Sequence, residues 1–345
     1  MVGPAATDGR AAAVCSIAVQ YSSVALRGEP VWTSMQSNDG CQAQLRVALL
    51  IRVAFLCYGV VHDYLFSLRY TDVDYSVFSE GARLLWSGQS PYLCKEYRYT
   101  PLIGLLLQPN IFLFKIFGKF LFLLADCMCG CLIYAIVRER SQYSTSIFAA
   151  NLWFLNPIAI IVSTRGSSES LVALFVLLPL YFLLKGQVMQ SSAFLGLAIH
   201  LKLYPVIYIP SMMLFIAASQ QPENCSQSKI RRLIGKLFSK QCLMFLGVCG
   251  GVVAMLTVIM YTAYGSPFLD ATLKYHITRK DEKHNFSLYF YPLYLLNGTA
   301  TATLLSLAAF VPQGALILAT ACVYFKDLPF CMLLQVPLDC CWYIL

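Results

Sequence analysis

A handful of long apolar stretches constrain this chain more than any other feature. The clearest run from Leu45 to Phe66, Phe120 to Val137, Ile147 to Ser163, Ser170 to Leu184 and Gln241 to Thr262. They approach the ~20 residues needed to cross a hydrocarbon layer roughly 30 Å thick. A 345-residue chain that is 58% hydrophobic and only 12% charged cannot hide that much apolar surface around one soluble core. The expected fold class is an all-α polytopic membrane protein.

The net charge of +8 matters less than where it sits. Arg138 and Arg140 follow one apolar run, Lys185 follows another, and Lys229, Arg231, Arg232, Lys236 and Lys240 form a cluster. These positions mark cytoplasmic turns by the positive-inside rule. The cluster interleaves Leu and Ile, which excludes a nucleic-acid module and suits a juxtamembrane segment. The alternation makes residues 67–110 and 264–289 luminal, with the turn at Thr164–Glu169 on the same side. Lys185 and the basic cluster must share the cytosolic side, so Ser191 to Ala218 must cross twice or re-enter. Two short limbs are expected to meet around His200–Pro205, because proline disfavours helix at the residue before it. Later spans are expected near Phe290–Pro312, Gln313–Phe325 and Leu328–Leu345.

Residues 1–44 are Ala-, Ser- and Gly-rich and read as a disordered cytosolic extension. Residues 45–345 read as one multi-spanning domain, with an end that is atypical from 336. Cysteines lie mostly inside apolar runs. Cys127, Cys129 and Cys131 point in different directions on a helix, so they read as small packing residues rather than ligands. Sequons occur at Asn224, Asn285 and Asn297.

Five polar groups stand out on or near the luminal side. Tyr70-Thr71-Asp72-Val73-Asp74-Tyr75 places two carboxylates two residues apart, ahead of an apolar pattern (Val77, Phe78, Leu84, Leu85) that suits a short interfacial helix. Spacing alone fits a helix cap as well as a general base. Arg98 suits a phosphate contact, but these residues alone fit an aromatic-belt anchor beside Tyr97 and Tyr99 somewhat better. Arg165 and Glu169 flank a tight turn, where Glu169 also suits a helix N-terminus. His200 and Lys202 occupy the expected break, where an embedded Lys must face water, protein or an anion. His276, Arg279, His284 and Asn285 form a mixed-charge run that reads as a solvated face or a set of cations and amide for a phosphate and sugar. No metal-ligand spacing is present.

Arg69–Tyr75, Ser90-Pro91-Tyr92, Tyr97–Leu102, Pro109-Asn110, Phe117–Phe120, Leu155-Asn156-Pro157, Ser163–Gly166, His200–Pro205 and His284–Ser287 together resemble GPI mannosyltransferase I of the PIG-M type. The resemblance implies a GT-C-type helical bundle in the endoplasmic reticulum membrane. It implies transfer of the first α1,4-linked mannose from dolichyl phosphate mannose to the glucosamine of a glucosaminyl-phosphatidylinositol precursor. The family's Asp-x-Asp motif falls on Asp72 and Asp74. Arg98, Tyr99, Arg165, Glu169, His200, Lys202, His276, Arg279, His284 and Asn285 are then substrate-binding candidates. No cofactor or metal is expected, since the lipid phosphate-sugar is itself the donor. A small single-span stabilising subunit of the PIG-X type is an expected partner. Residues 336–345 do not resemble the family's continuing membrane segments, so a truncated, noncatalytic isoform is one rival reading. A transporter or scramblase is another, but no inverted repeat supports it.

Overall fold

The computed structural model describes residues 39–220, 235–278, 290–296 and 300–335. Arg279, His284 and Asn285 lie outside the described residues, as do the extension up to residue 38, most of the basic cluster, the three sequons and the segment from 336.

Three helices, α1 (Asp39–Leu65), α5 (Phe117–Arg138) and α11 (Lys240–Tyr264), are each long and apolar enough to cross a membrane. Between α1 and α5 lie α2 (Val73–Trp86), α3 (Pro101–Leu106) and α4 (Pro109–Phe112). After α5 come α6 (Tyr143–Phe154), α7 (Pro157–Arg165), α8 (Glu169–Leu184), α9 (Val188–Leu201) and α10 (Ile209–Ser219). Beyond α11 are α12 (Ser266–Leu269), a π-turn, α13 (Tyr275–Thr278), α14 (Phe290–Leu295) and α15 (Ala300–Tyr324). Among the described residues there is no strand.

α5 lies at the centre, with α1, α6 and α7 on one side and α8 on the other. The row continues from α8 to α9 and from α9 to α11, and α10 packs against α11 and α15. Lipid tails are as apolar as leucine, so close packing rather than water exclusion holds such helices together. Gly196 on α9 shows how close: a Cβ there would lie 2.7 Å from the Cys249 carbonyl of α11. Cys129 joins the main core, while Cys127 and Cys131 pack toward α1, and the described cysteines are free thiols.

Three boundaries differ from those read in the sequence. The expected span from Ile147 to Ser163 is two helices, α6 and α7, bent by 48°. Pro157 cannot donate to the preceding turn, and Asn156 caps the new helix by accepting from the Ile158 amide at 2.9 Å. An apolar count passes straight over such a break. Conversely, the two spans expected to meet at Pro312 are not separate there, because α15 runs through that residue. Neighbouring helices can absorb the freed carbonyl of a membrane proline. Finally, α1 takes in residues 39–44, which the sequence assigned to the extension; Cys41 packs there against Cys131, Tyr134 and Phe154.

Two sequence expectations are realised in the fold. α9 stops at Leu201 and the chain makes a 3-10 turn over Tyr204–Tyr208 before α10, as the parity argument required. The first loop carries its amphipathic helix, α2, closed by Ser87 and by Gly88 at φ +71°.

Candidate active site

The C-terminal ends of α1, α7, α9 and α11 and the N-terminal ends of α5 and α8 come together, and the loop between α1 and α2 lies across them. The loop is held from three directions. The Asp63 carboxylate in the last turn of α1 accepts from the Tyr70 amide at 2.5 Å, the Thr71 amide at 3.1 Å and the Thr71 hydroxyl. The Lys119 ammonium of α5 donates to that same hydroxyl at 2.6 Å. From α7, Arg165 Nε donates to the Tyr70 carbonyl at 3.0 Å, and the Arg165 carbonyl accepts from the Asp72 amide at 2.9 Å. The Tyr70 and Thr164 hydroxyls share a hydrogen bond at 2.7 Å. Gly166 ends α7 at φ +93°, where a Cβ would strike the Tyr75 ring at 2.6 Å. Only glycine meets both demands.

Asp72 is the N-cap of α2, its carboxylate accepting from the Asp74 amide at 3.3 Å. The sequence offered Thr71, in a capping box with Asp74, or Asp74 itself as the cap; the structure puts it on Asp72, and the single bond leaves most of that carboxylate's acceptor capacity unspent. Asp74, one turn in, accepts from the Tyr99 hydroxyl at 2.7 Å. Burial, and then the charge of Asp74, push the Tyr99 phenol far above its ordinary range, so it remains a donor. Tyr99 is set in place from behind by Tyr92, whose hydroxyl donates to the Tyr99 carbonyl at 3.1 Å, and by Phe78 edge-on at 4.6 Å.

The remaining candidates close the site. Glu169, the first residue of α8, forms an ion pair with Lys202, just beyond α9. Asp74 is close enough to Lys202, and Glu169 to Tyr99, for their charges to interact. His200 Nε2 and the Thr100 hydroxyl share a hydrogen bond at 3.0 Å, tying the break to the residue after Tyr99. The Arg98 guanidinium lies 4.4 Å over the Tyr275 ring, and His276 Nε2 is 3.1 Å from the Arg98 carbonyl. So Asp72, Asp74, Arg98, Tyr99, Arg165, Glu169, His200, Lys202 and His276 are all linked at one end of the bundle. Among the described residues no group of three or more His, Cys, Asp or Glu is arranged around a common point for a metal.

Sequence reasoning missed Asp63, Tyr70 and Lys119, which hold the loop, and the buried pair Arg52–Asp126 below it. A charge inside an apolar run is a visible signal, and four of these residues carry it: Arg52 and Asp63 within Leu45–Phe66, and Lys119 and Asp126 at and inside the next run.

Comparison with known proteins is consistent with this geometry. The sequence profile described as Mannosyltransferase (PIG-M) matches residues 162–340, a stretch that contains Arg165, Glu169, His200, Lys202 and His276. GPI mannosyltransferase 1 of Dictyostelium discoideum is 38% identical over 311 residues, covering 84% of this chain and 70% of that protein. The GPI alpha-1,4-mannosyltransferase I catalytic subunit of Danio rerio is 37% identical over 289 residues, 84% of this chain and 72% of its own length. GPI mannosyltransferase 1 of Saccharomyces cerevisiae is 35% identical over 293 residues, 84% and 70% respectively. With its apolar helical bundle and this likeness along most of its length, the chain belongs to the PIG-M mannosyltransferase family, the membrane glycosyltransferases of GPI-anchor biosynthesis.

Proposed function

We propose that the chain transfers mannose, in α1,4 linkage, from dolichyl phosphate mannose to the glucosamine of a GPI precursor on the luminal face of the endoplasmic reticulum. The observation that carries this reading is the convergence of Asp72 and Asp74 with Lys202, His200 and Arg98 at one end of an apolar bundle. Such a site offers a base for a sugar hydroxyl and, in Lys202 and Arg98, cations for a lipid phosphate, next to the membrane that holds both lipids.

The reaction is a single inverting displacement. The 4-hydroxyl oxygen of glucosamine forms a bond to mannose C1, the C1–O bond to phosphate breaks with its electron pair, and dolichyl phosphate leaves. A β-linked donor thus gives an α product. The hydroxyl proton goes to a carboxylate, and Asp72 suits that task better than Asp74. A carboxylate oxygen already bound to a donor is less available to take the proton. Asp74 is engaged by the Tyr99 hydroxyl at 2.7 Å, whereas Asp72 holds only the long 3.3 Å bond from its own helix. Asp74 then anchors Tyr99 beside the base. Lys202 and His200 face the departing phosphate, with Glu169 holding the ammonium in place, and Arg98 and His276 line the rim. Arg279, His284 and Asn285 are assigned to the same rim. Arg165 holds the loop. No resident metal takes part, since a monophosphate leaving group needs only these cations, and a PIG-X-type subunit stabilises the chain.

The test is transfer in microsomes from cells lacking the first GPI mannosyltransferase, using dolichyl phosphate [³H]mannose and glucosaminyl-phosphatidylinositol. A labelled mannosylated product made by the expressed chain and absent without it is expected. A chain that accumulates in the membrane but yields no such product overturns the reading.

A further inference from the structure

A pair of opposite charges lies deep in the bundle, where the mechanism above has no use for it. Arg52 on α1 and Asp126 on α5 are 0% and 1% exposed, and Arg52 Nε donates to Asp126 Oδ2 at 2.6 Å. A buried ion pair rarely adds stability over an apolar pair of the same shape. Its hydrogen bonds show what else it does. Asp126 Oδ2 also accepts from the Ser163 hydroxyl at 2.9 Å, and Oδ1 accepts from Trp153 Nε1 at 2.8 Å. Arg52 Nη1 donates to the Phe154 carbonyl at 2.8 Å, which is the last residue of α6. The pair therefore grips the bent span on both sides of its break.

Ser163 is followed directly by Thr164 and Arg165, the two residues that bond Tyr70 and the Asp72 amide. Four steps connect the buried carboxylate to the reacting one: Asp126 to Ser163, Ser163 along the backbone to Arg165, Arg165 to the Asp72 amide, and Asp72 to its own carboxylate. We propose that Asp126 is a positioning element for Asp72, acting through Ser163 and the Thr164–Gly166 turn. The proposal rests on the functional reading above only for its effect on rate; its effect on the loop stands apart from it.

Two double variants separate positioning from simple structural support. Arg52→Met with Asp126→Asn keeps polar partners for Ser163 and Trp153 and leaves no lone charge. Arg52→Met with Asp126→Leu removes both side-chain bonds, leaving Trp153 only the residue-126 carbonyl and Ser163 only carbonyls of its own helix, and again leaves no lone charge. In the full chain in membranes, the Asn pair is expected to keep near wild-type kcat. The Leu pair is expected to lose on the order of 10–100-fold in kcat with little change in KM, because small displacements of a reacting group carry effects of that size. Hydrogen exchange at residues 70–72, whose amides bond Asp63 and Arg165, is expected to quicken in the Leu pair and stay protected in the Asn pair. Ser163→Ala, which deletes one hydroxyl, gives a milder version of the Leu result and serves if a double variant fails to fold. Equal kcat per folded molecule and equal exchange in the Asn and Leu pairs, or an unaltered Ser163→Ala protein, overturns the positioning role. Absence of transfer in the wild type overturns the functional reading instead, and the exchange measurement still decides this one.

Discussion

The bundle carries a glutamate–lysine bridge at each end, and the two do different things. At one end Glu169 pairs with Lys202, between the start of α8 and the residue after α9. At the other end Glu139 pairs with Lys185, between the residues that follow α5 and α8. The chemistry of each bond is the same, but the neighbours are not. Around Lys202 stand Asp74, Tyr99 and the His200–Thr100 bond. Around Lys185 stand Arg140, paired with Asp327 at 3.6 Å, and the Tyr181 ring at 5.7 Å. One bridge sits among acids and phenols, the other beside further basic residues. An ion pair takes its meaning from what else its partners can reach.

That contrast is sharpest at the site end, so the largest effect is expected there. Asp72→Asn keeps a good helix cap and removes the base, so transfer should fall by about 10²–10⁴-fold while thermal stability holds. Initial rates on equal amounts of folded protein check this; a fall in stability matching the fall in rate would return Asp72 to a purely capping role. Next, Lys202→Met should lower kcat by about 10²-fold, as loss of a charge-stabilising donor does. Lys185→Met should leave kcat within about twofold, since its bridge to Glu139 lies at the end of the bundle away from the carboxylate loop. Equal losses at the two lysines would erase the distinction between the ends.

A smaller effect is expected at Tyr99. Tyr99→Phe removes the donor to Asp74 and should slow transfer by about tenfold, roughly the 1.5–3 kcal/mol net worth of a hydrogen bond to a charged group. The sign of its pH dependence follows from the raised phenol. The Tyr99 contribution is fully present below the unfolded value of about 10 and is lost only as pH climbs through the higher folded value. The wild-type rate should therefore show no alkaline decline traceable to Tyr99 below about pH 10, read by comparing its profile with that of Tyr99→Phe. The smallest expected effect is none: EDTA should leave transfer unchanged.

Most of the bundle could be read from the sequence because apolar length and basic turns are one-dimensional signals. The break at His200–Pro205 was legible for the same reason, since two basic segments on one side forced it. The break at Asn156-Pro157 was not, because it interrupts an apolar run without adding any charge. The carboxylate loop and its helix were visible in Asp72, Asp74 and the pattern from Val77 to Leu85. What spacing could not give was the division of labour within them. That depended on Tyr99 reaching back 25 residues to Asp74 and on Arg165 reaching 95 residues back to Tyr70. Long-range partners of this kind follow from packing, not periodicity. Arg165 is one of these partners, its Nε and its carbonyl both bonding the loop.

The central claim is that the Asp72 loop performs mannosyl transfer, and rescue of cells lacking the first GPI mannosyltransferase tests it most directly. Surface GPI-anchored protein would be measured after expression of this chain and of its Asp72→Asn form at matched membrane levels. Restoration by the first and not by the second is the expected result. Equal restoration by both would contradict the assignment of the base and, with it, the account of how this end of the bundle works.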